Sequence, residues 1–117
     1  MGDSAGMRLT IRIDFDEQRR LGPGKAQILE LIGAHGSITA AGRVMDMSYK
    51  RAWKLVGELN TMFREPLVTA RTGGVGGGHA ALTPMGQEVL RLYRAIEAHA
   101  VADNAPLDRL SSLLPAG

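Results

Sequence analysis

A chain of 117 residues, 44% of them hydrophobic, has the length and composition of one globular domain. The absence of cysteine excludes disulfide scaffolds, thiolate zinc sites and cysteine nucleophiles, and the five aromatic residues are too few for a single-strand nucleic-acid binder that stacks bases. The net charge is only +2. No apolar run approaches the ~20 residues that span a bilayer, and no signal peptide is visible, so we expect a cytoplasmic protein with no membrane partner.

The N-terminal part is predicted to contain a flexible leader and one strand. Residues 1–7 form the leader, and the predicted domain covers residues 8–101. Polar and apolar residues alternate from Arg8 to Asp14, which indicates a half-buried strand with three apolar side chains on one side: Leu9, Ile11 and Ile13. The residues Leu21-Gly22-Pro23-Gly24 then interrupt the chain.

Three helices are predicted next. The first begins near Pro23 or Lys25 and runs to about His35, where Gly36 is suited to a left-handed stop. Ser37 is the predicted N-cap of a short second helix, whose buried face would contain Ile38, Ala41, Val44 and Met45. After a turn of about three residues, Ser48 is predicted to cap a third helix that reaches about Phe63.

The third helix has two different faces at 100° per residue. The predicted core face contains Tyr49, Ala52, Trp53, Val56, Leu59, Asn60 and Phe63, with Trp53 as its anchor; a ligand contact is the alternative role of Trp53. The opposite face carries basic residues in its first two turns, where unpaired N–H groups also favour anions. From Arg43 to His79 the sequence has six basic and three acidic residues. This pattern favours a recognition helix that binds DNA, and a solvated charged face is the alternative.

A glycine-rich segment, Thr72–His79, lies between two predicted short strands, Leu67–Arg71 and Ala80–Thr83. Two strands around such a segment predict a hairpin. A nucleotide-binding loop is disfavoured because the dinucleotide fingerprint would need glycine at His79, and no Gly-Lys-Ser/Thr tripeptide is present. The tip is therefore predicted either to contact the DNA backbone or minor groove, or to be a tip without contacts.

Thr83 and Pro84 are predicted to open a last helix as N-cap and first residue. Its apolar stripe suggests a homodimer contact, for which the predicted residues are Val89, Leu92, Tyr93 and Ile96. A helix that only caps a monomer is the alternative. Residues 102–117 are predicted to form a flexible or weakly helical tail.

The order strand, helix, helix, turn, helix, hairpin, helix predicts a mainly α (α+β) winged helix-turn-helix. The three histidines, His35, His79 and His99, lie far apart, and no nucleophile motif or paired carboxylates are present. We therefore expect no enzyme activity, no metal site and no cofactor.

Several blocks of the sequence carry a resemblance to a known family: Gly33-x-x-Gly36-Ser37-Ile38-Thr39-x-Ala41, Met47-Ser48-Tyr49-Lys50-x-Ala52-Trp53, Glu58-Leu59-Asn60, Thr72-Gly73-Gly74-x-Gly76-Gly77-Gly78 and Leu82-Thr83-x-x-Gly86. They resemble the DNA-binding domain of molybdate-dependent (ModE-type) transcriptional regulators and, more distantly, the winged helix of LysR-type regulators. The resemblance implies a homodimer built by the first and last helices, and a segment Ser48–Lys54 that enters the major groove. The predicted DNA-binding residues are Ser37, Thr39, Ser48, Tyr49, Lys50, Arg51, Lys54, Arg71, Thr72, Gly74 and Gly76.

Full-length regulators of this type carry molybdate-binding domains after the last helix, whereas this sequence ends at Gly117. We therefore expect DNA binding without molybdate binding by the chain itself, and a separate molybdate-binding protein is one candidate partner. The first hypothesis is a homodimeric regulator of transcription that binds an inverted-repeat operator in double-stranded DNA. The alternatives are a winged-helix module for protein interaction and a sensor of a small ligand or oxyanion.

Overall fold

The computed structural model describes residues 7–71 and 78–116 and has the predicted winged helix-turn-helix architecture. Two short strands at the N-terminus precede three helices, a two-stranded wing and two further helices. The elements are β1 (Ile13–Asp14), β2 (Arg20–Leu21), α1 (Pro23–His35), α2 (Ile38–Val44), α3 (Tyr49–Met62), β3 (Val68–Arg71), β4 (His79–Leu82), α4 (Pro84–Val101) and α5 (Ala105–Ser112). Both strand pairs, β1–β2 and β3–β4, are antiparallel.

The predicted ends of the helices are confirmed by their hydrogen bonds. The hydroxyl of Ser37 accepts a hydrogen bond from the N–H of Ala40 at 3.1 Å, and that of Ser48 accepts from Arg51 at 3.1 Å. Thr83 caps α4 in the same way, accepting from the N–H of Gly86 at 3.0 Å. Gly36 closes α1 with φ of 69°, a left-handed conformation that favours glycine.

The core lies between α1, α2, α3, the base of the wing and α4. Its largest fully buried side chains are Ile28, Leu29, Ile32, Leu59, Leu67 and Tyr93. The two helices of the helix-turn-helix approach closely at Gly42, where an added Cβ would lie 3.0 Å from the Cβ of Ala52. The turn between them is made by Asp46 in a left-handed conformation, with φ of 55°.

The N-terminal prediction was wrong in extent. Of the predicted strand Arg8–Asp14, only Ile13 and Asp14 pair, with Leu21 and Arg20 respectively. Leu9 is exposed, while Ile11 and Ile13 are half-buried. The alternation predicted the partial burial of Ile11 and Ile13 but not the exposure of Leu9. A strand also needs a hydrogen-bonding neighbour, and β2 is two residues long. The segment is held instead by the hydroxyl of Tyr93, which donates to the carbonyl of Ile11 at 2.5 Å.

Two predicted core positions are exposed. Val44 is 55% exposed because α2 ends there, and Tyr49 is 61% exposed because it is the first residue of α3. Further along α3, Ala52, Val56 and Leu59 are buried as predicted, and Met62 is also buried. Both errors therefore lie at the end of a helix, where the side chain extends beyond the residues that would cover it.

The C-terminal part extends away from the core. After α4, the side chain of Asn104 accepts from the N–H of Leu107 at 3.1 Å and caps α5, a helix of eight residues where the sequence predicted a flexible or weakly helical tail. The described chain measures 55 × 31 × 23 Å, and its radius of gyration of 17.0 Å exceeds the ~13 Å of a compact domain of about 100 residues. None of the helices described is long and apolar enough to cross a membrane.

Candidate nucleic-acid interface

The first two turns of α3 present a cluster of cationic side chains to solvent. Lys50, Arg51 and Lys54 are all exposed, and none forms an ion pair with a described residue. The first turn of α3 contains no acidic residue. The positive end of the helix dipole and these three cations therefore act in the same direction, and the surface is suited to an anionic partner.

A cavity of about 240 Å³ separates this part of α3 from the wing. It brings together four predicted site residues from three parts of the chain: Ser37 and Thr39 of the α2 start, Tyr49 of α3 and Arg71 of β3. His79 also lines the cavity, because it pairs with Arg71 in the wing register. His79 was not among the predicted site residues, although the hairpin prediction places it near Arg71.

Trp53 was predicted to anchor the core, and this prediction holds only in part. Its side chain packs against the core but is half-buried, and it lines the cavity beside the wing. Its ring lies 5.9 Å from that of Tyr49, one helical turn earlier. The indole N–H is buried and has no hydrogen-bond partner among the described residues. Trp53 therefore combines a core contact with a position in the candidate site.

The base of the wing is fixed against α3 and α4 by side chains. Asn60 of α3 accepts hydrogen bonds from the N–H groups of Leu67 and Val68, each at 2.9 Å, and donates to the carbonyl of Val68 at 3.0 Å. The hydroxyl of Thr83 donates to the carbonyl of Pro66 at 2.7 Å. These bonds set the direction in which the wing leaves the core, and hence the position of Arg71 relative to α3.

Three of the predicted DNA-binding residues, Thr72, Gly74 and Gly76, lie outside the described residues. The four predicted dimer residues divide into two pairs. Val89 and Tyr93 are buried in the chain's own core, Tyr93 to 1% exposure, so the chain itself already covers the side chains predicted to meet a partner. Leu92 and Ile96 are exposed on α4. An apolar stripe at helical spacing does not show which of its members the core of the same chain covers.

The side chains whose pKa differs clearly from its ordinary value support the fold and do not belong to this surface. Burial raises the pKa of Tyr93, and the charge of Glu97 adds to the effect. The hydrogen bond to Glu97 raises the pKa of Arg94, while the hydrogen bond from Arg19 lowers the pKa of Asp16. No group of three or more metal-ligating side chains is found in residues 7–71 and 78–116.

The chain matches known proteins over two thirds or more of its length. It is 46% identical to the molybdenum-pterin-binding protein MopB of Rhodobacter capsulatus over 79 residues, which are 68% of this chain and 29% of that protein. It is 37% identical to the molybdenum transport protein ModE of Azotobacter vinelandii over 102 residues, 87% of this chain and 37% of that protein. It is 36% identical to the DNA-binding transcriptional dual regulator ModE of Escherichia coli (strain K12) over 89 residues, 74% of this chain and 34% of that protein.

The chain thus spans about a third of the length of these curated relatives. The predicted resemblance to ModE-type regulators is confirmed. These three relatives are described as a regulator, a transport protein and a pterin-binding protein, and none is described as an enzyme. Residues 24–87, more than half of the chain, match the bacterial regulatory helix-turn-helix protein, lysR family. With its winged fold, the chain therefore belongs to the lysR family of bacterial regulatory helix-turn-helix proteins and carries a DNA-binding domain of that family.

Proposed function

We propose that the protein is a sequence-specific transcriptional regulator that places α3 in the major groove of double-stranded DNA. The observation that carries this proposal is the group of three exposed cations, Lys50, Arg51 and Lys54, at the capped start of α3, none of which forms an ion pair with a residue that the structure describes. Recognition helices read base edges with their N-terminal residues, and lysine and arginine there can bind either guanine or phosphate. The protein would act in the cytoplasm, where its proposed partner, chromosomal DNA, is found in bacteria.

The cavity beside the wing supports a second set of contacts. The hydroxyls of Ser37, Thr39 and Tyr49 and the cation Arg71 surround it and are donors suited to a phosphate oxygen. We propose that one phosphate of the DNA backbone lies at this cavity when α3 is in the groove. The cap Ser48 orients the first turn of α3, and the wing residues Thr72, Gly74 and Gly76 are proposed to continue the contact along the backbone.

A homodimer is proposed to supply the second half of the recognition surface. Leu92 and Ile96 are exposed one turn apart on α4, on the side of the helix that the chain's own core does not cover. Association of two copies through this face would remove apolar surface from water. A two-fold dimer would hold two recognition helices about 34 Å apart, or a multiple of this distance, and would require an inverted-repeat operator.

The names of the relatives supply a link to molybdenum. We propose that the regulated genes belong to molybdenum or metal-oxyanion metabolism, and that a separate molybdate-binding protein is a candidate partner. That the chain itself takes no cofactor stays a prediction.

The experiment that tests the proposal is a binding titration by fluorescence anisotropy on duplexes selected by the wild-type protein from genomic fragments. Lys54→Gln is expected to weaken binding and to lower the slope of log affinity against log salt by about 0.9 for each phosphate that Lys54 neutralises. Arg109→Gln, which removes the same charge from α5, is the matched control and should bind like the wild type. Selected fragments should contain inverted repeats bound by two copies of the 12.5 kDa chain.

Equal binding by Lys54→Gln and Arg109→Gln would overturn the role of α3, and a wild-type protein without affinity for any duplex would overturn the function. If the selected sites lack inverted-repeat symmetry and are bound by one copy of the chain, the proposal of a homodimer is wrong.

A further inference from the structure

A second group of basic side chains lies on the flank of α3 that faces away from the wing. Here an open cavity of about 330 Å³ is lined by Arg12 of the N-terminal segment, Arg20 of β2, Lys25 of α1 and Arg51 of α3. Arg51 and Leu55 line this cavity, whereas Tyr49 and Trp53 line the one beside the wing. Because residues two apart on a helix are about 200° apart, the two cavities lie on opposite sides of α3.

Lys25 joins the elements that form this flank. Its ammonium group donates to the carbonyl of Arg20 at 2.9 Å and lies 3.3 Å from a carboxylate oxygen of Glu58. Its side chain is only 15% exposed, so we regard it as a tether between β2, α1 and α3 rather than as a ligand contact. The stem of Arg12 packs on Gly22, where an added Cβ would lie 3.2 Å from the Cγ of Arg12.

The three guanidinium groups of the flank belong to Arg12, Arg20 and Arg51, and only the first two pair with a carboxylate among the described residues, that of Asp14. Arg12 contacts both oxygens of Asp14, at 2.8 and 3.0 Å, and Arg20 lies 3.8 Å from the same side chain. Arg51 has no ion pair among the described residues. Both pairs are exposed, and such pairs are weak, so a phosphate can replace Asp14 as the partner of either arginine. Guanidinium groups bind phosphate through two parallel hydrogen bonds, which fits this exchange.

The width of the DNA major groove explains how basic side chains on both sides of α3 could contact DNA. The major groove is about 12 Å wide and an α-helix with its side chains is about 10–12 Å across, so a helix in the groove meets a phosphate backbone on each side. In the proposed complex, the wing and the α2 start face one of these backbones. We propose that Arg12 and Arg20, together with Arg51, bind the sugar–phosphate backbone on the opposite side of the groove. This inference rests on the proposed function, because it requires α3 to lie in the major groove.

The test compares single and double variants with the wild type on the same selected duplexes. Arg12→Gln/Arg20→Gln is expected to lower the salt slope by about 1.8, so that the decrease in affinity between about 50 and about 200 mM salt becomes roughly tenfold smaller. Asp14→Asn removes the competing carboxylate and leaves both arginines in place, so it should strengthen binding. A merely structural role of the Arg12–Asp14–Arg20 group would weaken binding in both variants. Arg109→Gln is again the charge-matched control.

Ethylation interference places the contact on the DNA. In the wild type, modified phosphates on both sides of each half-site should interfere, and the double variant should lose interference on one side only. One outcome is that Lys54→Gln weakens binding while Arg12→Gln/Arg20→Gln and Asp14→Asn bind DNA like the Arg109→Gln control. In that case the proposed backbone contact of Arg12 and Arg20 is wrong and the proposed function stands. If the wild-type protein binds no duplex, both the proposed function and the backbone contact of Arg12 and Arg20 are wrong. A flank that binds an acidic protein instead would also leave DNA binding unchanged in these variants and so would overturn the proposal.

Discussion

Asn60 is the side chain on which the position of the wing depends, and replacing it with alanine tests this directly. It makes three hydrogen bonds to the backbone of Leu67 and Val68, at the point where the chain enters β3. A hydrogen bond contributes about 0.5–1.5 kcal/mol net, so the three together are worth about 3 kcal/mol. Alanine favours the helix over asparagine by about 0.6 kcal/mol, which leaves an expected loss of about 2.5 kcal/mol for Asn60→Ala.

The measurement is urea unfolding followed by circular dichroism and by the fluorescence of Trp53, the single tryptophan of the chain. At a slope of about 1–3 kcal/mol per molar urea, the loss corresponds to a midpoint lowered by about 0.8–2.5 M. Thr61→Ala is the matched control on the next position. The Thr61 hydroxyl is exposed and, among the described residues, bonds only carbonyls of its own helix, at 3.2 and 3.3 Å. Its removal should therefore leave stability unchanged or raise it by about 0.6 kcal/mol, the gain in helix propensity.

The destabilisation should appear first at the base of the wing. In the Asn60→Ala variant, the amides of Leu67 and Val68 should exchange with solvent faster than in the wild type, while those in the middle of α1 keep their relative protection. An Asn60→Ala protein as stable as Thr61→Ala, with unchanged exchange at these two amides, would show that the wing is held by other contacts.

Two further predictions concern the packing of α4. Gly86→Ala should cost more than about 3 kcal/mol in urea unfolding, because the added Cβ would overlap the backbone oxygen of Leu67, whereas Gly57→Ala, with nothing within 4 Å, should be neutral or stabilising; equal stability of the two variants would contradict this packing. Tyr93→Phe should lose about 1 kcal/mol through the bond to Ile11. Burial raises the pKa of Tyr93 above its ordinary value of 10.0, so its stabilisation is present below that pH and is lost as pH rises through the raised value; unfolding midpoints of the phenylalanine variant should lack this alkaline loss.

The parts of the fold that the sequence predicted are those determined by neighbouring residues. A capping hydroxyl acts on an amide three residues later, so Ser37, Ser48 and Thr83 identified their helix starts without knowledge of the rest of the chain. The left-handed stop at Gly36 is local in the same sense. The exposure of Val44 and of Tyr49 was not predictable in this way, because it depends on the exact residues at which α2 ends and α3 begins.

In the candidate site, too, residues close together in the sequence could be predicted, whereas residues brought together by the fold could not. Lys50, Arg51 and Lys54 lie within five residues of one another on one helix, and a helical wheel is enough to group them. The partners of Trp53 in the cavity come from α2 and from both strands of the wing, so only the fold could show that a side chain with the spacing of a core residue also reaches the site.

Arg12 and Arg20 illustrate why a DNA-binding surface is harder to predict than a recognition helix. Each was an ordinary polar position in the sequence, one on a strand pattern and one before a Gly-Pro-Gly turn. Their proximity to Arg51, some thirty to forty residues later, follows from the pairing of β1 with β2 and from the tether that Lys25 makes to Glu58. A helix in the major groove meets a phosphate backbone on each of its two sides, so a protein that contacts both backbones needs basic side chains on both sides of the helix. In the proposed complex, Arg51 of α3 and the two arginines Arg12 and Arg20 from the region of β1 and β2 supply them on the side away from the wing, while Lys25 of α1 holds these elements together.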